Sequence, residues 1–586
     1  MTSSALPRLA VRSTTAVGLV LGILAILFVL WLPGFWTFLF IGATVSALVA
    51  LSIGVVYGSA GLVSLCQLSF AAIGAWTVGW LNVNTEIPFL AGLLLGGILA
   101  VPVGLAIGLL SLRLRGINLA VVTLSFAVAT TVVLRQIEFP GLMSNQRVQR
   151  PDPFASENGY FLLSVGVLIL ISLALNWLRQ RPVGLAWTAV RHSERAAAAL
   201  GLRVPLSKLI AFAVGAFIAG IAGGLLVGQN GTVSLRSFEA LDSLIVFAVA
   251  VMVGANYLEG AILAGVLGAI FPELFRMWDL PLDLLPILFA IGAIDILRKG
   301  GDGIAGQLRR ALRAWRAGAR ARVESTPSVT SATSAASAEE SSAAPRRVET
   351  EPALEVKGLS VTYAAVKALN NVDITVPAGS VVGLIGPNGA GKSTLVDAAT
   401  GFIDSYRGSI MVGGRSLEGL PAHVRARGGL RRTFQQGRAV PELTIEQYLR
   451  LGSDGTATSE DLDRVIAALD CPGRHVRIDE IDMPTRRLVE AAACLVARPT
   501  LLLLDEPAAG LGETESARLA ASIATFPELF GCAVLLIEHD VEVVQAACDY
   551  VTVLDFGQVI AQGRPEQVLS SPEVMGAFLG TIGTEG

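Results

Sequence analysis

Charge is what this sequence has least of. Asp, Glu, Lys and Arg make up 16% of its 586 residues, and 53% are hydrophobic. Ordinary soluble domains carry roughly 25% charged residues, so a large share of this chain faces lipid rather than water. Nor does one sign of charge prevail: 44 Lys plus Arg stand against 47 Asp plus Glu, a formal net charge of -3, which leaves no basic footprint for nucleic acid. Cysteine is scarce as well. Cys66, Cys471, Cys494, Cys532 and Cys548 form no CxxC pair, and reduced thiols in a cytosolic compartment are expected. A cleavable leader is also missing from the expectation. Arg8 and Arg12 precede the apolar run 16–32, but that run is long for a signal core, lacks a small-residue cleavage site and is followed by similar runs. It reads as a retained first span.

A chain of 586 residues exceeds what one hydrophobic core supports, so two or more folding units are expected. The apolar excess lies before Lys299. Stretches long enough to cross a bilayer recur at 16–32, 36–56, 62–82, 88–112, 117–135, 160–178, 207–228, 241–256, 257–275 and 282–298, about ten in all. The Gly-rich stretch 58–74 is a candidate broken or re-entrant helix. With an even number of spans, Arg8 and Arg12, Arg113 and Arg115, the group from Arg179 to Lys208, and Arg298 with Lys299 all fall on the cytoplasmic side. Arg147 and Arg150 fall outside and fit the rule poorly. Gln67, Asn118 and Thr123 are polar groups within spans that either line a pathway or bond a neighbouring helix.

Beyond the last span the character changes. Residues 307–322 alternate Arg with Ala, Leu and Trp, a basic amphipathic pattern suited to anionic membrane lipid. Residues 325–344 are Ser, Ala, Thr, Val, Pro and Glu, too poor in large apolar groups to fold, and read as a tether. A soluble domain starts near Leu354. The expected boundaries are 1–305 for the membrane domain, 306–350 for the basic segment and linker, and 351–586 for the soluble domain.

The soluble domain carries nucleotide chemistry. An apolar strand at 381–385 runs into Gly386, Pro387, Asn388, Gly389, Ala390, Gly391, Lys392, Ser393 and Thr394, a complete P-loop opening a helix. Its glycines let backbone N–H groups turn inward around phosphate oxygens, Lys392 reaches the β- and γ-phosphates, and Ser393 ligates Mg2+. The pattern calls for ATP and Mg2+. A second apolar run at 501–504 ends in Asp505 and Glu506, where Asp505 can hold Mg2+ and Glu506 can polarise the attacking water. A third run, 534–537, ends at Glu538 and His539, and His539 is a candidate γ-phosphate contact.

These motifs resemble the ABC-transporter ATPases over 354–580, in particular those of branched-chain amino-acid importers. Arg432-Thr433-Phe434-Gln435 is similar to that family's Q-loop, and 505–511 to its extended Walker B motif. The resemblance implies that Gln435 contacts Mg2+ and water and that Tyr363 stacks on adenine, unless Tyr363 merely packs. Three features depart from the family: a short helical subdomain, Ile481-Asp482-Met483-Pro484-Thr485 in place of a Leu-Ser-Gly-Gly-Gln signature, and Gly512 where Asp or Asn is usual.

The membrane half resembles the permease subunits of the same family at 51–76 and 112–126. Residues 184–201, with Glu194, Ala196, Ala197 and Gly201, resemble the coupling loop that docks on the ATPase. The expected fold is thus a polytopic α-helical membrane domain followed by an α/β P-loop NTPase. The function implied is ATP-driven import of a small polar solute of amino-acid or amide type across a bacterial inner membrane. The resemblance further implies a second permease, a second cassette and an extracytoplasmic solute-binding protein as partners. An exporter half or a weakly turning-over regulatory cassette are the alternatives.

Overall fold

A computed structural model describes residues 26–114, 116–137, 147–232, 235–299, 303–312, 351–364, 366–435 and 437–579. The chain divides into two compact units, one of residues 1–180 and 205–330, the other of 181–204 together with 331–586. The tether at 325–344 and most of the basic segment at 307–322 lie outside the described residues, as does most of the first expected span.

In the first unit six described helices are long and apolar enough to cross a membrane: Gly34–Ser59, Phe89–Ser111, Ile117–Gln136, Glu157–Arg179, Val204–Asn230 and Leu258–Met277. Six of the ten expected spans overlap these helices, and most of the first expected span lies outside the described residues. Ala240–Val253 has 14 residues and Leu284–Arg298 has 15. At about 1.5 Å per residue both fall short of the ~30 Å hydrocarbon core. An apolar window cannot see why the first of these stops: Gly254, at φ 74°, caps it in the left-handed region. Gln67–Asn84 has 18 residues but is interrupted by Ser, Thr, Trp and Asn.

The break expected at 58–74 is present. A π-turn over Gly54–Ser59 ends the first long helix, residues 61–66 are not helical, and helix resumes at Gln67. Backbone freed there needs partners in an apolar medium. Thr123 Oγ1 supplies one, accepting the Leu65 N–H at 3.1 Å. Thr123 therefore bonds a neighbouring segment. Gln67–Asn84 and Val204–Asn230 touch backbone to backbone, since a Cβ on Gly223 would lie 1.8 Å from the Ala71 carbonyl oxygen.

Arg150 explains its own misfit to the charge rule. Its guanidinium donates to the Gly228 and Gln229 carbonyls at 2.8 and 3.0 Å, pairs with Glu157 at 3.0 Å and lies 4.7 Å from the Tyr160 ring centre. It caps the carboxyl end of the Val204–Asn230 helix and is spoken for structurally.

The second unit is built on two sheets. An antiparallel sheet has the order β2-β1-β4-β5, from β1 (Leu354–Tyr363), β2 (Val366–Val376), β4 (Arg407–Val412) and β5 (Arg415–Ser416). The larger sheet runs β10-β9-β3-β8-β7-β6, with β3 (Val381–Ile385), β6 (Leu430–Arg432), β7 (Leu501–Asp505), β8 (Ala533–Ile537), β9 (Tyr550–Asp555) and β10 (Gln558–Gly563). Every residue of β3, β7 and β8 is buried, as short strands apolar save for Asp505 and covered on both faces must be. Strands β3, β8, β7 and β6 are mutually parallel, so their carboxyl ends share one edge.

Residues 181–204 fold with this unit and not with the helices that flank them in sequence. Two short helices, Pro182–His192 and Glu194–Ala199, bury Leu185, Ala189, Val190 and Ala197 in one apolar cluster with Val440, Leu443, Tyr448 and Leu449. Ser193 caps the second helix by accepting the Ala196 N–H at 3.2 Å. A continuous 1–305 domain is thus interrupted by a segment whose apolar face finds its partners in the soluble unit.

Candidate active site

The P-loop leaves β3 at Gly386, whose φ of 149° no side chain tolerates there: a Cβ would lie 2.0 Å from the Leu554 carbonyl oxygen. Gly389 and Gly391 also have positive φ, at 85° and 105°. Asn388 and Gly389 are exposed at the tip, Pro387 is partly so, and Ala390 is buried. Lys392 opens the Lys392–Thr400 helix with Gly391 as a cap that has no side chain to offer. Ser393 is exposed and Thr394 partly buried beside it. The Lys392 ammonium donates to the Gly386 and Pro387 carbonyls at 2.6 and 2.9 Å. Burial holds its pKa below the usual lysine value, and Glu506 and Asp505 oppose that shift.

Asp505 and Glu506 end β7 at the same edge. Glu506 takes a φ of 46°, a left-handed conformation costly for a residue with a Cβ. Gln435 reaches it from beyond β6, donating from Nε2 to Glu506 Oε2 at 2.6 Å. Two residues singled out from separate motifs therefore meet. Glu538, wholly buried at the end of β8, accepts the Ala508 N–H at 2.8 Å, and burial raises its pKa. That bond ties the turn after Glu506 to the strand bearing His539, whose side chain is 61% exposed. Tyr363 stands half exposed at the far end of β1, opposite Val366, with no described contact to the loop.

Asp397, Arg487 and Glu490 were not singled out from the sequence, and Arg432 entered only as part of the Q-loop resemblance. Arg432, almost fully buried, bridges Asp397 Oδ1 at 2.5 Å and Asp505 Oδ2 at 2.8 Å. Arg487 Nη1 donates to the Glu506 and Pro507 carbonyls at 2.9 and 2.6 Å. Glu490, one turn later, accepts the Ala439 N–H, and burial pushes its carboxyl up to about 7. Only sheet order brings these groups to the acids, which motif spacing does not encode. The Asp482 region behaves as its chemistry requires: its carboxylate accepts the Thr485 N–H at 3.0 Å and caps the Met483–Leu495 helix, with Pro484 in the first turn.

Polar contacts complete the docking of residues 181–204. Arg438 Nη1 donates to Ser193 Oγ at 2.6 Å and Arg427 Nε to the Gly201 carbonyl at 2.9 Å. Ala196 and Ala197, expected in a docking helix, are buried, while Glu194 opens the helix.

Residues 35–279 match the family described as branched-chain amino acid transport system / permease component, and residues 369–509 match the ABC transporter family. The high-affinity branched-chain amino acid transport ATP-binding protein LivG of Escherichia coli K12 is 36% identical over 252 residues, covering 39% of this chain and 99% of LivG. BraF of Pseudomonas aeruginosa, named for the same role, is 34% identical over the same length. The zinc import ATP-binding protein ZnuC of Alkalilimnicola ehrlichii is 37% identical over 237 residues, 85% of its length. Among solved structures, the ADP conformation of the ABC-transporter cassette MJ1267 is 26% identical, covers 39% of this chain and all of its own, and superposes with a TM-score of 0.37. The chain belongs to the ABC transporter family, joining a permease domain of the branched-chain amino acid type to an ATPase cassette that couples hydrolysis to transport.

Proposed function

We propose that this chain is one permease and one cassette of an importer for branched-chain or related amino acids, embedded in a bacterial inner membrane. The observation that carries the reading is the docked 181–204 segment, which gives the permease a handle inside the cassette. ATP binds on the P-loop, with Lys392 and the open N–H groups around Gly389 on its phosphates and Tyr363 on adenine. Glu506 draws the proton of the attacking water, Gln435 and His539 hold water and γ-phosphate in register, and Asp505 with Ser393 meets Mg2+. The donors suit that ion: both are hard oxygen ligands, and the described residues hold no cluster of three His, Cys, Asp or Glu able to bind a metal alone. Mg2+ therefore comes with the nucleotide. A second cassette completes each ATP sandwich, a second permease completes the pathway, and an extracytoplasmic binding protein delivers solute.

The capped Asp482 helix favours a partner cassette of different sequence. Its Thr485 N–H is taken and Pro484 has none, so it grips a phosphate poorly, and the asymmetry falls on the site this surface faces. Six long helices also match the number in an exporter half. Yet the longest, Val204–Asn230 with 27 residues, rises about 40 Å, enough for a bilayer without a long cytoplasmic extension. The test is reconstitution of the chain with the products of neighbouring permease, cassette and binding-protein genes in vesicles. ATP-dependent uptake of labelled leucine, isoleucine or valine is expected, and ATP-dependent extrusion instead would end the importer reading.

A further inference from the structure

The helix behind the P-loop carries a carboxylate that nucleotide chemistry does not use. Asp397, five residues after Lys392, is 19% exposed and splits its oxygens between two arginines. Oδ1 takes Arg432 Nη1 at 2.5 Å, while Oδ2 faces Nη1 of Arg195, in the docked segment, at 3.6 Å. Arg432 gives its other terminal nitrogen to Asp505 at 2.8 Å. Charges of alternating sign, Arg195, Asp397, Arg432 and Asp505, thus run from the permease's docked segment to the acid at the end of β7. Aromatic rings follow the same line: Arg195 lies 5.3 Å from the Phe402 ring centre, Phe402 lies 6.3 Å from Phe434, and Arg432 lies 4.8 Å from Phe434.

A buried guanidinium must keep its carboxylates, so Arg432 is shared between Asp397 and Asp505 and the sharing depends on how negative each one is. A divalent cation at Asp505 competes with Arg432 for the same oxygens. Arg195 offsets the charge of Asp397, weakens its pull on Arg432 and leaves Arg432 held more firmly on Asp505. We propose that Arg195 and Asp397 are positioning residues that act through Arg432 to set how tightly Asp505 takes the nucleotide's divalent cation. Docking at Arg195 weakens cation binding, and by linkage cation binding loosens the Arg195–Asp397 contact. This rests on the reading of Asp505 as the acid that meets Mg2+.

The test measures binding without turnover. Mn2+ replaces Mg2+ with a non-hydrolysable ATP analogue on the full chain in its membrane complex, and free Mn2+ is followed by electron paramagnetic resonance. Arg195→Ala should tighten Mn2+ binding by about two- to threefold, as befits a half-exposed pair. Asp397→Asn, nearly isosteric, should weaken it on the order of tenfold by leaving Arg432 to Asp505 alone. The double variant should behave as Asp397→Asn, because Arg195 acts only through Asp397, and Arg195→Lys should lie near the wild type. Shifts of the same sign, or none in chains that still bind the analogue, overturn the proposal. Wild-type Mn2+ affinity in Asp505→Asn would remove the reading beneath it, an outcome separate from the other two.

Discussion

Two helix starts in the same cassette treat their backbone donors in opposite ways. At Lys392–Thr400 the cap is Gly391, which has no side chain to spend on the first turn, so its N–H groups stay open to an anion. At Met483–Leu495 the Asp482 carboxylate takes the Thr485 N–H and Pro484 offers none. Both are stable helix ends, but one is satisfied only by a ligand and the other by itself. On the function proposed here, ATP binding and ATP gripping would differ within one chain, the first surface being complete and the second supplied by a partner.

The comparison breaks most severely at Glu506, the acid at the complete surface. Glu506→Gln should cut steady-state hydrolysis by about 100- to 10,000-fold with ATP affinity retained, since the amide keeps its shape and loses the base. Near-normal turnover would remove Glu506 from the chemistry. The opposite surface is sharpened by Asp482→Ser combined with Pro484→Gly, which restores an uncharged cap and a donor. ATPase activity of the purified chain should rise about tenfold, the effect of one charge-assisted grip gained. An unchanged rate would show that partner asymmetry does not arise at this helix.

Further along the same helix, Glu490 makes the second surface sensitive to pH. Its carboxyl is raised from 4.5 to about 7 by burial, so the folded chain holds the proton more tightly than the unfolded chain. Its contribution to stability is complete below pH 4.5 and is lost as pH rises through about 7. Glu490→Gln keeps an acceptor for the Ala439 N–H and should flatten the pH dependence of the unfolding free energy across that window by on the order of 1–3 kcal/mol. Glu538 shifts in the same direction and leaves a residual slope. A slope undiminished in the variant assigns the titration to another group. The smallest effect belongs to Tyr363. Its replacement by Ala should raise the KM for ATP about fivefold or less with kcat unchanged, the mark of lost uniform binding; unaltered KM would make it a packing residue.

The nucleotide motifs were legible because each lies within one strand-to-loop junction, where apolar runs and special residues are contiguous. The apolar cluster that seats 181–204 was legible only as a resemblance, since its partners lie over 200 residues downstream. Ser193 and Arg195 were given no contacts of their own, because a short charged helix looks alike whether it meets water or a groove. The expected spans and the described helices part for a local reason: hydropathy registers apolar content, while Gly254 at φ 74° and the break at 61–66 decide where helices end.

By itself, then, the sequence determined a lipid-facing half and a nucleotide half with its P-loop and the two acids after an apolar strand, because composition and contiguous spacing carry those properties, while Gln435 was reached only through resemblance. Tertiary structure alone decided that Gln435 touches Glu506, that Arg150 caps a helix, and that Arg432 is divided between Asp397 and Asp505. Such contacts depend on strand order and on which buried charge finds a counter-charge, and both are settled only when distant segments pack.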